Sequence, residues 1–186
     1  MTTDEILLDV EERMEKAVRK LKEDLAGIRT GRANPGLVDS LKVEVYGSPV
    51  PIKQIASVGA PEPTQIVIRP YDPGTLKEIE KAIQQSDLGF NPQNDGRMIR
   101  LNVPPLSTEV RRKLVARIKE LAEETKVAVR NIRRDALNEL RSLKNNHEIA
   151  EDDFFSAQDD LQKLTDRYIE QIDEIGARKS AEIMEV

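Results

Sequence analysis

Apolar residues mark out the helices of this chain before anything else is considered. Ile6, Val10, Met14, Val18, Leu21, Leu25 and Ile28 are spaced by three or four positions. That spacing follows one face of an α-helix. Thr2 and Glu5 stand at capping-box spacing, and Asp4 and Glu5 put acids where the helix dipole favours them. Gly27, Gly31 and then Pro35 end the pattern. A second stripe runs through Leu114, Ile118, Leu121, Thr125, Val129, Ile132, Ala136, Leu140 and Leu143, close to the helical period. Asn145-Asn146-His147 breaks it. A third helix begins near Glu151-Asp152-Asp153, again with acids first. It continues through Phe154, Ala157, Leu161, Leu164, Tyr168, Ile172, Ile175 and Ile183.

Between the first two stripes the pattern changes. All ten prolines fall there, from Pro35 to Pro104-Pro105. Short β-rich runs occupy residues 41–46, 54–58, 65–69 and 98–103. A short amphipathic helix is expected over 75–86, with Leu76, Ile79 and Ile83 on one face, and Asn94-Asp95-Gly96 is a tight turn into the last strand. Three long amphipathic helices must bury their stripes, most simply against each other. The expected fold is therefore α+β: a three-helix bundle of residues 1–30 plus 106–186, interrupted by a small β/α/β domain at 31–105. Helices of roughly 27 to 37 residues span on the order of 40–55 Å, so the bundle is expected to be a rod. Two linkers, 29–35 and 103–106, leave from one end of it, which suggests an elongated, L-shaped molecule. Gly31 supplies flexibility at the bend and Pro104-Pro105 an extended strut.

Composition removes several function classes. The chain has 186 residues, no Cys and one His, His147. Thiolate nucleophiles and Cys- or His-rich metal clusters are thereby excluded. Aromatics are 3% and Trp is absent, which leaves little for base stacking. No run approaches the ~20 apolar residues of a membrane span, and the acidic N-terminus reads as neither signal nor transit peptide. A cytoplasmic protein without a membrane partner, cofactor or metal is expected. No phosphate-binding or dinucleotide-binding glycine motif and no nucleophile elbow occurs. Asp152-Asp153 and Asp159-Asp160 are sequence neighbours that point to different sides of a helix, so they read as solvated charges.

The net charge of −5 by itself speaks against nucleic-acid binding. Its distribution reverses that inference. Residues 107–146 carry 11 basic and 6 acidic side chains, whereas 147–186 carry 4 and 12. Arg112, Lys119, Lys126 and Arg133 recur every seven residues along the second helix, and Arg130, Arg134 and Arg141 widen the strip. Asp135 and Glu139 are the only acids between 125 and 146. Two readings compete. The strip pairs with the acids of the third helix, or it tracks a phosphate backbone. A second group, Arg29, Arg32, Arg111 and Arg112, falls where the bundle meets the inserted domain, and guanidinium forks match phosphate geometry.

At these residues the sequence resembles bacterial ribosome recycling factors almost from end to end. The matching motifs are Ile28-Arg29-Thr30-Gly31-Arg32-Ala33-Asn34-Pro35, Tyr46-Gly47-Ser48-Pro49-Val50-Pro51-Ile52, Gln54-Ile55-Ala56 and Glu80-Lys81-Ala82-Ile83. They continue with Ser86-Asp87-Leu88-Gly89-Phe90-Asn91-Pro92, Val129-Arg130-Asn131-Ile132-Arg133-Arg134-Asp135-Ala136 and Gln158-Asp159-Asp160-Leu161-Gln162-Lys163-Leu164-Thr165-Asp166. One departure is Val110, where the family commonly carries Arg; Arg111 and Arg112 follow it.

The resemblance implies a three-helix bundle with an inserted β/α/β domain, in an L shape like that of transfer RNA. It implies a monomeric, non-enzymatic factor that binds the post-termination 70S ribosome. With elongation factor G and GTP, such a factor splits the ribosome into subunits and frees it from mRNA. Large-subunit rRNA would be contacted by Arg29, Arg32, Arg111, Arg112, Lys126, Arg130, Arg133 and Arg134, with Arg133 foremost. Thr30, Gly31, Pro104 and Pro105 would form the hinge. The competing functions are a helical adaptor whose basic and acidic helices neutralise each other, and an enzyme using the inserted domain as a pocket. The latter lacks a nucleophile, a metal set or a phosphate loop.

Overall fold

The computed structural model describes residues 1–86 and 88–185. Asp87, part of one family-like motif, lies outside the described residues. Contacts divide the chain into two compact units, one of Met1–Leu25 with Arg112–Val186 and one of Ala26–Arg111.

The first unit is helical. Helix α1 spans Thr3–Ala26. Its start is the capping box read from the sequence: the Thr2 amide donates to Glu5 Oε2 at 2.8 Å, and the Glu5 amide donates to Thr2 Oγ1 at 3.2 Å. Ile6, Val10, Met14, Val18, Leu21 and Leu25 are its buried residues, six of the seven in the expected stripe. Helix α4, Thr108–Asn145, is begun by Ser107, whose Oγ accepts from the Val110 amide at 3.2 Å. Helix α5, Glu151–Met184, opens with Glu151, Asp152 and Asp153.

The α4–α5 connection closes on a left-handed residue. His147 has φ 57°. The Glu148 amide donates to the Leu143 carbonyl at 2.9 Å and the His147 amide to the Lys144 carbonyl at 3.1 Å. That pair of bonds is a Schellman cap with histidine where glycine is usual.

Burial on α5 adds three positions to the predicted stripe: Thr165, Gly176 and Lys179. Thr165 satisfies its hydroxyl on the Leu161 carbonyl at 2.8 Å. Gly176 faces α4, and a Cβ there would meet Ala122 Cβ at 3.5 Å and Ile118 Cγ2 at 3.9 Å, both ordinary contact distances. Lys179 is only 9% exposed, and Glu182 Oε2 lies 3.8 Å from its ammonium. Burial holds its pKa below the ordinary lysine value, against a smaller opposing pull from Glu182.

The second unit is α+β. Strands β1 (Lys42–Val45) and β2 (Ser48–Pro51) form a hairpin in which Val45 opposes Ser48. Its two-residue loop, Tyr46-Gly47, takes φ 53° and 81°, as a turn matched to strand twist requires. The Tyr46 hydroxyl donates to Asp72 Oδ2 at 2.7 Å. This bond holds the Asp72 carboxyl below its usual range and the tyrosine above its own.

A second, antiparallel sheet has the order β3 (Ala56–Glu62), β4 (Gln65–Pro70), β6 (Ile99–Asn102), β5 (Pro92–Asn94). Helix α3, Leu76–Gln85, contributes Leu76, Ile79 and Ile83 to the unit's core, which also holds Val43, Ile52, Ile66, Ile68, Ile99 and Leu101. The Asn94–Gly96 turn is tied by its own side chains. The Gly96 amide donates to Asn94 Oδ1 at 2.7 Å, and the Arg97 and Met98 amides each donate to Asp95 Oδ1 at 2.9 Å.

Two local expectations differ from the structure. The strand expected over 54–58 begins only at Ala56, because a short helix α2, Ile52–Ile55, precedes it. Ile52 and Ala56 are both buried, one helical turn apart, and that turn carries both side chains into the core. Strands β2 and β5 went unread because Pro49, Pro51 and Pro92 argue against strands; each of the two strands pairs on one side only.

Candidate nucleic-acid interface

Helix α4 positions most of the predicted cations. At about 100° per residue, positions seven apart drift by only ~20°, so Arg112, Lys119, Lys126 and Arg133 stay on one face. Arg130, Arg134 and Arg141 fall on the same side, away from the buried line of Ile118, Ala122, Val129, Ile132, Ala136 and Leu140.

The third helix neutralises little of this face. Arg112, Lys119, Arg133, Arg134 and Arg141 make no ion pair or side-chain hydrogen bond among the described residues. Lys126 alone reaches α5, where its ammonium meets Asp173 Oδ1 at 2.5 Å. It also lies 3.8 Å from Glu123, which in turn lies 3.5 Å from Arg130. The other ion pairs between helices lie off the strip: Arg167 with Glu11 at 2.9 Å, and Arg13 with Asp135 at 3.9 Å. Of the two readings of the strip, pairing with α5 therefore holds at one position of seven.

Arg29, Arg32 and Arg111 belong to the second unit, whereas Arg112 opens the second segment of the first. Arg29 is half-buried and its guanidinium lies 5.5 Å over the Phe90 ring, a cation–π contact. The Nε atoms of Arg29 and Arg111 are both buried without a hydrogen-bond partner among the described residues. Both side chains are thus partly enclosed. Arg32 is exposed. Val110, the departure from the family pattern, is 41% exposed, so an apolar side chain faces solvent there.

The four positions expected to form the hinge all lie inside the second unit as contacts define it. Gly31 has φ 81°, a conformation that favours glycine, and a Cβ there would lie 3.6 Å from Leu106 Cγ. Pro104 and Pro105 are exposed and form no regular element.

No group of three or more His, Cys, Asp or Glu among the described residues is placed to hold a metal ion, and no helix is long and apolar enough to cross a membrane. A groove of about 540 Å³ lies on the second unit between β1 and α3 and is lined by Lys42, Glu44, Lys77, Glu78 and Lys81 among others. Sequence reasoning did not identify Glu123 and Asp173 as partners of the strip. The signal for Glu123 was its angular position: it is the only α4 acid within the sector that the seven cations occupy.

Comparison with known proteins agrees with this architecture. A family profile described as ribosome recycling factor matches residues 21–184. The chain is similar to the ribosome-recycling factor of Rhodopirellula baltica, 74% identical over 136 residues that make up 73% of each chain. It is similar to a solution structure of a ribosome recycling factor, with 43% identity, TM-score 0.81, and coverage of 100% of this chain and 99% of that one. It is also similar to the T. thermophilus ribosome recycling factor in a structure of that factor and E. coli elongation factor G bound to the E. coli post-termination complex. There the identity is 45% and the TM-score 0.70, with both chains covered in full. The long helices with their small β-sheet unit and these matches together place the chain in the ribosome recycling factor family.

Proposed function

We propose that the chain binds the ribosome after termination. With elongation factor G and GTP, it promotes separation of the subunits and release from mRNA for a new round of translation. The observation that carries the binding step is the set of five cations on one face of α4 that are unpaired among the described residues. Unpaired cations are free to replace condensed counterions on a phosphate backbone, whereas a cation already held by a carboxylate gains less. On this reading, large-subunit rRNA is gripped by Arg112, Arg133 and Arg134 from the bundle, with Lys126 and Arg130 beside them. Arg29, Arg32 and Arg111 contribute from the second unit, and Arg133 has the leading role.

The work is mechanical rather than catalytic. GTP hydrolysis belongs to the elongation factor, and the chain acts as a cytoplasmic monomer without a cofactor. Thr30, Gly31, Pro104 and Pro105 serve as the hinge through which the second unit responds to that factor. The left-handed backbone of Gly31 supports a special conformational role at this point in the chain.

The test is a splitting assay. Purified post-termination complexes are mixed with the chain, elongation factor G and GTP, and free subunits are resolved on a sucrose gradient. Free subunits should increase only when all three are present. No increase over elongation factor G and GTP alone refutes the proposal.

A further inference from the structure

The seven cations of the α4 strip are not equivalent. They occupy a sector of about 100° around the helix, bounded by Arg133 and Arg134. Five of them are unpaired among the described residues, and the other two, Lys126 and Arg130, sit in the middle. The reason is a single carboxylate. The acids of α4 are Glu109, Glu120, Glu123, Glu124, Asp135 and Glu139, and only Glu123 falls inside the sector. One of its oxygens lies 3.8 Å from the Lys126 ammonium and the other 3.5 Å from an Arg130 terminal nitrogen. Asp173 approaches Lys126 from α5. Lys126 is the more enclosed of the two, with 19% of its side chain exposed against 49% for Arg130. The result is a run of four charges, Asp173–Lys126–Glu123–Arg130, whose signs cancel at the centre of an otherwise uncompensated strip.

A carboxylate held between two cations occupies them as a phosphate oxygen would. RNA that meets this face gains little from Lys126 and Arg130 unless its phosphates are placed well enough to displace Glu123. We propose that Glu123, assisted by Asp173, is a specificity-determining residue of the docking face. It masks the two central cations from phosphates in general and yields them to an RNA surface that fits the strip. The inference rests on reading the strip as an RNA-docking face.

The experiment compares the whole chain with its Glu123→Gln variant, Glu123 being 61% exposed and outside the core. Binding to a short RNA duplex unrelated to rRNA is followed over a range of salt, and binding to ribosomes by cosedimentation. Freeing two cations should steepen the duplex salt slope by about 1–2 and tighten duplex binding roughly three- to tenfold at low salt. Ribosome affinity should rise by a smaller factor, so discrimination between the two falls. On the duplex, Arg130→Ala should cost less in the native background than in the Glu123→Gln background, where it cancels part of the gain. Unchanged duplex affinity and slope overturn the inference, as does an equal gain on ribosome and duplex. Arg133→Ala, measured in parallel, separates the two levels of failure. If it weakens duplex binding while Glu123→Gln is silent, only the masking role fails. If both are silent, the RNA-docking reading fails and the masking role with it.

Discussion

The salt dependence of RNA binding follows from which cations the structure leaves unpaired, so it can be worked out in advance. Arg112, Lys119, Arg133, Arg134 and Arg141 have no carboxylate partner among the described residues, whereas Lys126 and Arg130 do. If each unpaired cation neutralises one phosphate, log K falls with log salt at a slope near −4.5, about 0.9 per contact on a duplex. Between about 50 and 200 mM salt this is a loss of roughly 500-fold. Replacing Arg133 and Arg134 together by Ala removes two contacts. The slope should then relax to about −2.7 and the loss over the same range to roughly 40-fold. Alanine is the best helix former, so α4 itself is not at risk. The matched control is Arg117→Ala. Arg117 lies on another side of α4 and is already paired with Glu120 at 3.1 Å. It removes one positive charge from the same helix and should leave the slope within error. Fluorescence anisotropy with a labelled RNA duplex reads all three proteins. A double variant with the native slope, or an Arg117→Ala slope that falls as far as the double variant's, refutes the reasoning. In that event the total charge of the helix, not its unpaired face, is what binds.

Three further outcomes concern the scaffold. Gly176→Ala should stabilise the first unit by about 0.5–1 kcal/mol in urea unfolding. The new methyl meets Ala122 and Ile118 at ordinary contact distance, so little opposes the helix-propensity gain. His147→Gly should also stabilise, by about 1 kcal/mol, because glycine adopts the left-handed cap without the Cβ penalty. Stability curves with midpoints equal to the native protein's would contradict it. Lys179→Met should stabilise most near neutral pH. A lysine with a depressed folded pKa binds fewer protons folded than unfolded, so native stability rises as pH climbs toward 10.5. The advantage of the variant should shrink over that same climb, as seen by thermal melts at a series of pH values.

Much of the architecture was legible because long helices write their burial at a fixed period. The six buried residues of α1 and five of the six of α4 belong to the stripes read from spacing alone; the sixth, Ala122, sits beside Leu121, which the stripe named instead. The capping box at Thr2 and Glu5 was equally plain, since it needs only two side chains three apart. What escaped has physical reasons. Strand β2 carries two prolines, and a one-sided pairing tolerates them. Lys179 breaks the polar-out rule, because a long aliphatic stem can lie in a core while its ammonium stays near a rim carboxylate. The cation strip was legible as a list of residues but not as a state of charge. Composition shows an acidic third helix following a basic second one, and only geometry reveals that, among the described residues, Asp173 alone reaches across to the strip. Glu123 escaped for a related reason: counted along the chain it is one acid among several, but around the helix it is the only one on that face.

The central claim is that the chain docks on the ribosome through the unpaired cation face of α4. It is tested most directly by cosedimentation of Arg133→Ala with post-termination ribosomes at moderate salt, with circular dichroism confirming an unchanged helix content. The structure leaves Arg133 half-buried and, among the described residues, without an ion pair. The account predicts that the variant folds as the native chain does and largely fails to pellet with ribosomes. Native-level occupancy by a folded Arg133→Ala chain would contradict it.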